Sequence, residues 1–104
     1  MNDKRYSLRY LPLFERDLAA VRHYIEYNLH NPSAALRLIT DTEDAIIKRL
    51  SNPLSFAPIR STRNRKHQYY PIYIRNYTVL YVVIDDVMEV RRFVYGRRDL
   101  TKLI

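Results

Sequence analysis

Apolar and polar residues alternate near the start of the chain, where Leu8 and Tyr10 flank Arg9 within Tyr6–Leu11. A period of two predicts a short strand there. Pro12 then ends the ladder, since it has no N–H to donate, and its fixed φ suits the first turn of a helix. From Leu13 to about Asn28, the residues Phe14, Leu18, Val21 and Ile25 recur at spacings of three and four. Glu15 and Asp17 sit near the start, where the helix dipole favours negative charge. The pattern predicts a first helix. Asn28–Pro32 interrupts it, with Asn31 as a natural N-cap and Pro32 as a natural first helical residue. A second helix runs to about Leu50, with Ala35, Leu38, Ile39, Thr42, Ile46 and Leu50 on one stripe and Lys48 and Arg49 at its C-terminal end. Ser51–Pro53 closes it. Two amphipathic helices joined this tightly form an antiparallel hairpin.

Leu54–Lys66 has no clear period, contains Pro58 and carries four basic residues, so it reads as a loop. After His67 the character changes. Gln68–Arg75, Tyr77–Ile84 and Val87–Tyr95 are rich in Tyr, Val and Ile and read as strands, with Arg75-Asn76 and Asp85-Asp86 as the turns. Pro71 makes the first of these an edge strand or marks a bulge. Gly96 ends the last strand, and Arg97–Ile104 is expected to form a short terminal turn or helix. The order β-α-α-β-β-β predicts an α+β fold with the helical hairpin packed on an antiparallel sheet. Residues 1–104 read as a single domain, with no internal repeat.

The last strand carries a conflict. Strict alternation puts Met88, Val90, Arg92 and Val94 on one face and Val87, Glu89, Arg91, Phe93 and Tyr95 on the other. The first set reads as core, which directs Arg91 away from the helices. Arg92 then has to lie near a rim or pair with a helix carboxylate, because an unpaired buried charge is costly. Asp41 and Asp44 are the candidates.

Composition narrows the chemistry. With no cysteine, disulfides, thiolate metal sites and cysteine nucleophiles are excluded. One glycine disfavours a Gly-rich phosphate loop. No apolar run approaches the ~18 residues of a membrane span, and the N-terminal residues lack a signal-like apolar core, so a cytoplasmic protein with no membrane partner is expected. The histidines, His23, His30 and His67, have no ligand spacing, and neither a metal nor another cofactor is expected.

The formal charge of +7 is unevenly distributed. Residues 60–75 hold Arg60, Arg63, Arg65, Lys66 and Arg75 with no acid, residues 91–102 carry a net +4, and the remainder sums to −2. Fourteen of the 18 cations are Arg, whose planar fork suits phosphate and carboxylate. A polyanion or an acidic partner is the expected ligand of this patch. Arg60, Arg63, Arg65, Lys66, His67, Arg91 and Arg97 are the candidate target- or nucleic-acid-binding residues. His67 closes the first basic run and, beside cations, can act as acid or base. As a surface histidine opening a strand it needs no such role. Most of the ten tyrosines suit half-buried strand positions, although aromatics interleaved with Arg also stack on bases. Tyr95, beside Gly96 and Arg97-Arg98, is the foremost candidate for the second role.

Taken together, Asp17-Leu18, Tyr24-Ile25, Asn31-Pro32 and Ala35 in the hairpin, Leu50–Pro53 after it, Tyr77–Ile84, and the ending Val90–Asp99 (VRRFVYGRRD) resemble the RelE/ParE superfamily of bacterial toxins. The likeness runs from about Leu8 to Asp99. It implies the toxin half of a type II toxin–antitoxin pair, with a small cognate acidic antitoxin whose tail masks the basic surface. Within the superfamily, RelE-like members cleave mRNA in the ribosome without a metal, whereas ParE-like members poison DNA gyrase. Arg98 matches the post-glycine arginine of the RelE-like branch, and Arg75 roughly matches an arginine at the end of the preceding strand. That branch's catalytic tyrosine falls on Ile104, and its alternative His-Tyr ending is absent. Tyr95 is a possible substitute that the resemblance does not supply. The Tyr95–Asp99 ending is more ParE-like. The expectation is therefore a growth-arresting toxin acting on gyrase. A ribosome-dependent mRNA endoribonuclease using Arg75, Arg98 and Tyr95 is the alternative, and a non-toxic basic nucleic-acid-binding protein is the third reading.

Overall fold

The computed structural model describes residues 5–60, 66–96, 100–102 and 104. The elements follow the expected order: β1 (Ser7–Tyr10), α1 (Pro12–His23), α2 (Pro32–Leu50), β2 (Tyr70–Ile74), β3 (Tyr77–Ile84) and β4 (Val87–Tyr95), with a short 3-10 turn at Leu100–Lys102. Both turns between the last three strands fall where the sequence places them, and both need left-handed backbone, at Arg75 (φ 53°) and Asp85 (φ 55°).

The first helix changes form before its expected end. Beyond His23 the backbone widens into a π-turn over Tyr24–Asn28, where Leu29 N–H donates to the Tyr24 carbonyl at 3.1 Å. His30 then adopts left-handed φ (52°) and reverses the chain. Asn31 caps α2 as expected, its side-chain oxygen accepting from Ala34 N–H at 3.2 Å, with Pro32 in the first turn. Ala35, Leu38, Thr42 and Ile46 are the buried stripe of α2.

The sheet order is β1-β4-β3-β2. β2, β3 and β4 form the expected antiparallel meander, with Pro71 on the edge strand β2. β1 joins β4 in parallel, which makes the whole sheet mixed. Direction follows from the path: β1 feeds the hairpin, and the meander's last strand returns beside it. The helix-facing side holds the main core, in which Phe14, Leu38 and Ile46 meet Ile72, Val79, Tyr81, Met88, Val90 and Phe93 among others.

A bulge resolves the conflict in β4. Tyr81 pairs with Val90 but Leu80 pairs with Arg92, so Arg91 has no cross-strand partner of its own. One extra residue reverses the alternation. Met88 and Val90 before it and Phe93 after it therefore face the helices, and Phe93 takes the core place that strict alternation assigned to Val94. Arg92 does pair with a helix carboxylate, but the partner is Asp17 of α1, 2.7 Å from Nε, and not Asp41 or Asp44. The same Asp17 oxygen accepts from Phe93 N–H at 3.0 Å. β1 stops pairing at Val90, so this carboxylate satisfies the edge of β4 where no strand covers it.

One buried polar atom stands out. Among the described residues Thr42 Oγ1 is buried with no hydrogen-bond partner. Thr42→Val keeps the branched shape and removes the unsatisfied hydroxyl, so it is expected to stabilise the fold by about 1 kcal/mol, raising Tm by roughly 4–8 °C. Thermal unfolding followed by circular dichroism checks this; a fall in Tm would mean that the hydroxyl is paired in solution.

Candidate target-binding surface

Two of the sequence candidates meet at one end of the sheet. The two-residue link Arg75-Asn76 brings Arg75 into the lining of a cleft of about 400 Å³, with Asn76, Tyr95 and Gly96. Gly96 takes φ 89°, where a side chain would strain the backbone. Its N–H donates to the Asn76 carbonyl at 2.6 Å and its carbonyl accepts from Thr78 Oγ1 at 2.8 Å. These bonds hold the end of β4 against the β2–β3 turn. Tyr95 is 74% exposed and sets its ring edge-on to Tyr77 (centroids 5.4 Å apart), while Tyr77 stacks on Phe93 at 4.9 Å. Burial, with Tyr95 and Tyr24 adding to it, pushes the Tyr77 phenol above its ordinary value.

A second groove, of about 210 Å³, shares Arg75 with this cleft and is lined also by Ile25, Ala34, Arg37, Leu38 and Tyr77. Arg75 forms an ion pair with Asp41 of α2, each about half exposed. Arg37 escaped the sequence reading because a single cation beside an apolar stripe resembles any solvated helix position. Only the packing of α2 brings it beside Arg75.

Arg91 lies elsewhere, on the sheet face opposite the helices. Glu89 is buried there, and Arg9 donates to its Oε1 at 2.9 and 2.6 Å while Arg91 donates to its Oε2 at 2.7 Å. Arg91 also donates to the Tyr69 hydroxyl at 2.7 Å. Burial alone would raise the Glu89 carboxyl, but the two guanidinium groups outweigh it and hold its pKa below the usual value. Burial lowers the Arg91 value, and its bonds to Glu89 and Tyr69 more than reverse that. Arg91 is thus engaged with the chain's own carboxylate. Leu80, Val82, Leu100 and Ile104 are also buried, outside the helix-facing cluster.

Of the remaining candidates, Arg60 and Lys66 are exposed and His67 is half-buried. Arg63, Arg65, Arg97 and Arg98 lie outside the described residues. No helix among the described residues is long and apolar enough to cross a membrane.

Residues 8–100 match the family described as "ParE toxin of type II toxin-antitoxin system, parDE". The fold also superposes on a solved chain described as "Chromosomal ParDE TA system from P. aeruginosa" with a TM-score of 0.71 and 15% identity, covering 90% of this chain and 99% of that one. At that identity the likeness shows the fold. No curated protein sequence matches significantly.

Proposed function

The chain belongs to the ParE toxin family of type II toxin–antitoxin systems, and from that premise we propose that it arrests growth in the cytoplasm by binding and inhibiting DNA gyrase, and that a cognate acidic antitoxin neutralises it. The carrying observation is the chemistry of the candidate surface, where cations are paired to the chain's own carboxylates. There Asp41 holds Arg75, and away from this surface Glu89 holds Arg91 in the same way. The position matching the tyrosine of RNA-cleaving relatives is Ile104, a buried apolar side chain. Attack by a 2′-hydroxyl on the adjacent phosphate, which expels the 5′-oxygen, needs a group that takes the hydroxyl's proton near neutral pH. A phenol with raised pKa, as at Tyr77, is a weaker donor of its own proton and is protonated at that pH. The surface suits recognition better than proton transfer.

One observation favours the alternative: Arg75 and Tyr95, two members of the RelE-like candidate set, line the same cleft. Purified protein tested side by side in a supercoiling assay and a ribosome-dependent translation assay separates the readings. Loss of supercoiling with intact mRNA is the expected outcome, together with growth arrest when the chain is expressed without its antitoxin. Codon-positioned cleavage would establish the endoribonuclease instead, and Arg75→Ala or Arg98→Ala should then abolish it. Normal growth at verified expression would remove the toxin reading and leave the basic nucleic-acid-binding protein.

A further inference from the structure

The chain between α2 and β2 carries the first basic stretch, and its near end is seated by side chains that the toxin reading leaves unused. Tyr81, fully buried in β3, donates its hydroxyl hydrogen to the Pro53 carbonyl at 2.7 Å. The same hydroxyl accepts from Arg49 Nη1 at 3.0 Å, and that nitrogen also donates to the Pro71 carbonyl at 3.1 Å. The Arg49 guanidinium lies 3.5 Å from the centre of the Phe56 ring. The strand β3, the C-terminal turn of α2, the edge strand β2 and the segment that follows Ser51 therefore meet at one phenol and one guanidinium. Farther along, Ile59 N–H donates to the Tyr69 carbonyl at 2.7 Å, which closes the path just before Arg60.

The Tyr81 ring already serves the core, stacked on Tyr70 at 5.3 Å. Its hydroxyl contributes something different, a tether from the rigid sheet centre to the backbone of a loop. A guanidinium centred over an aromatic ring is a contact that lysine reproduces poorly. We propose that Tyr81, Arg49 and Phe56 form a latch that fixes the path of residues 51–59 and so sets the position of Arg60, the first cation of the basic stretch. Tyr81 and Arg49 are then positioning residues for the target-binding surface, a role that rests on the toxin reading. The latch itself does not.

Tyr81→Phe keeps the ring and removes the tether. Amide hydrogen exchange measured by NMR should then accelerate at Ile59 by about tenfold, the worth of one hydrogen bond, and trypsin should cut after Arg60 faster by a similar factor. Exchange at Val79 and Val82 within β3 should stay unchanged. Phe56→Ala should behave like Tyr81→Phe, while Phe56→Tyr, which keeps the stack, should behave like the unaltered protein. Unchanged exchange at Ile59, or equal acceleration in β3, would overturn the latch. In cells, Tyr81→Phe should arrest growth less at equal soluble expression; full arrest by a variant whose loop has opened would overturn the positioning role. Failure of the unaltered chain to arrest growth would instead remove the toxin reading, with the exchange data still deciding the latch.

Discussion

Replacing Asp17 by alanine is expected to cost the fold about 3 kcal/mol, read as a drop in the urea midpoint without a change in slope. Two losses combine. The Phe93 N–H, at the part of β4 that β1 does not cover, loses its acceptor, and the partly buried Arg92 guanidinium loses its counter-charge. An unsatisfied buried amide costs ~1–3 kcal/mol, and breaking a buried ion pair from one side costs more than the pair contributed. Asp17→Asn keeps an acceptor for the amide but not the charge, so roughly half the loss is expected. In the Arg92→Met background Asp17→Ala should cost less than it does alone, because the stranded cation is gone. A loss below about 1 kcal/mol for Asp17→Ala would mean that water satisfies this edge.

Glu89→Ala is expected to cost about 2–3 kcal/mol at neutral pH, since it leaves Arg91 three-quarters buried without its carboxylate. Arg9 is half exposed, so water screens it and its share is discounted. The same carboxyl imposes a pH dependence. Its folded pKa is below its unfolded value, so the unfolded chain binds the proton more readily and stability rises with pH through this range. The contribution is complete above the unfolded value, about 4.3, and is lost as pH falls through the folded one. Glu89→Gln should therefore flatten the acid side of the stability curve, measured as urea midpoints at pH 7, 5 and 3. A steeper acid loss in the variant would show that the pair is not formed in solution.

Much of the architecture is legible in the sequence because local chemistry decides it. The cap at Asn31, the prolines at the start of both helices, the α2 stripe and both meander turns act over a few residues. The π-turn at Tyr24–Asn28 was not legible: its apolar spacing, Val21 to Ile25, continues the helical stripe, and the extra residue per turn leaves no mark in such a pattern. The candidate site was legible in part. Arg75 and Tyr95, both candidates from the sequence, meet in one cleft, but Arg91 is tied to Glu89, and Arg37 and the Tyr81 tether carry no sequence signal.

The element order, the α+β class, the helix ends made by caps and prolines, and the two short stretches of positive charge follow from the order of residues alone. Each depends on period, propensity or composition, which are properties of neighbours along the chain. The parallel entry of β1, the bulge that turns Phe93 inward, and the pairing of Arg92 with Asp17, Arg75 with Asp41, and Arg91 and Arg9 with Glu89 come from packing across the fold. Most of these join groups dozens of residues apart. Arg91 and Glu89 already share a strand face by alternation, yet the carboxylate is shared with Arg9 only because β1 lies beside β4. A guanidinium takes whichever carboxylate the packing brings within about 3 Å, and alternation in a strand holds only until one residue is inserted.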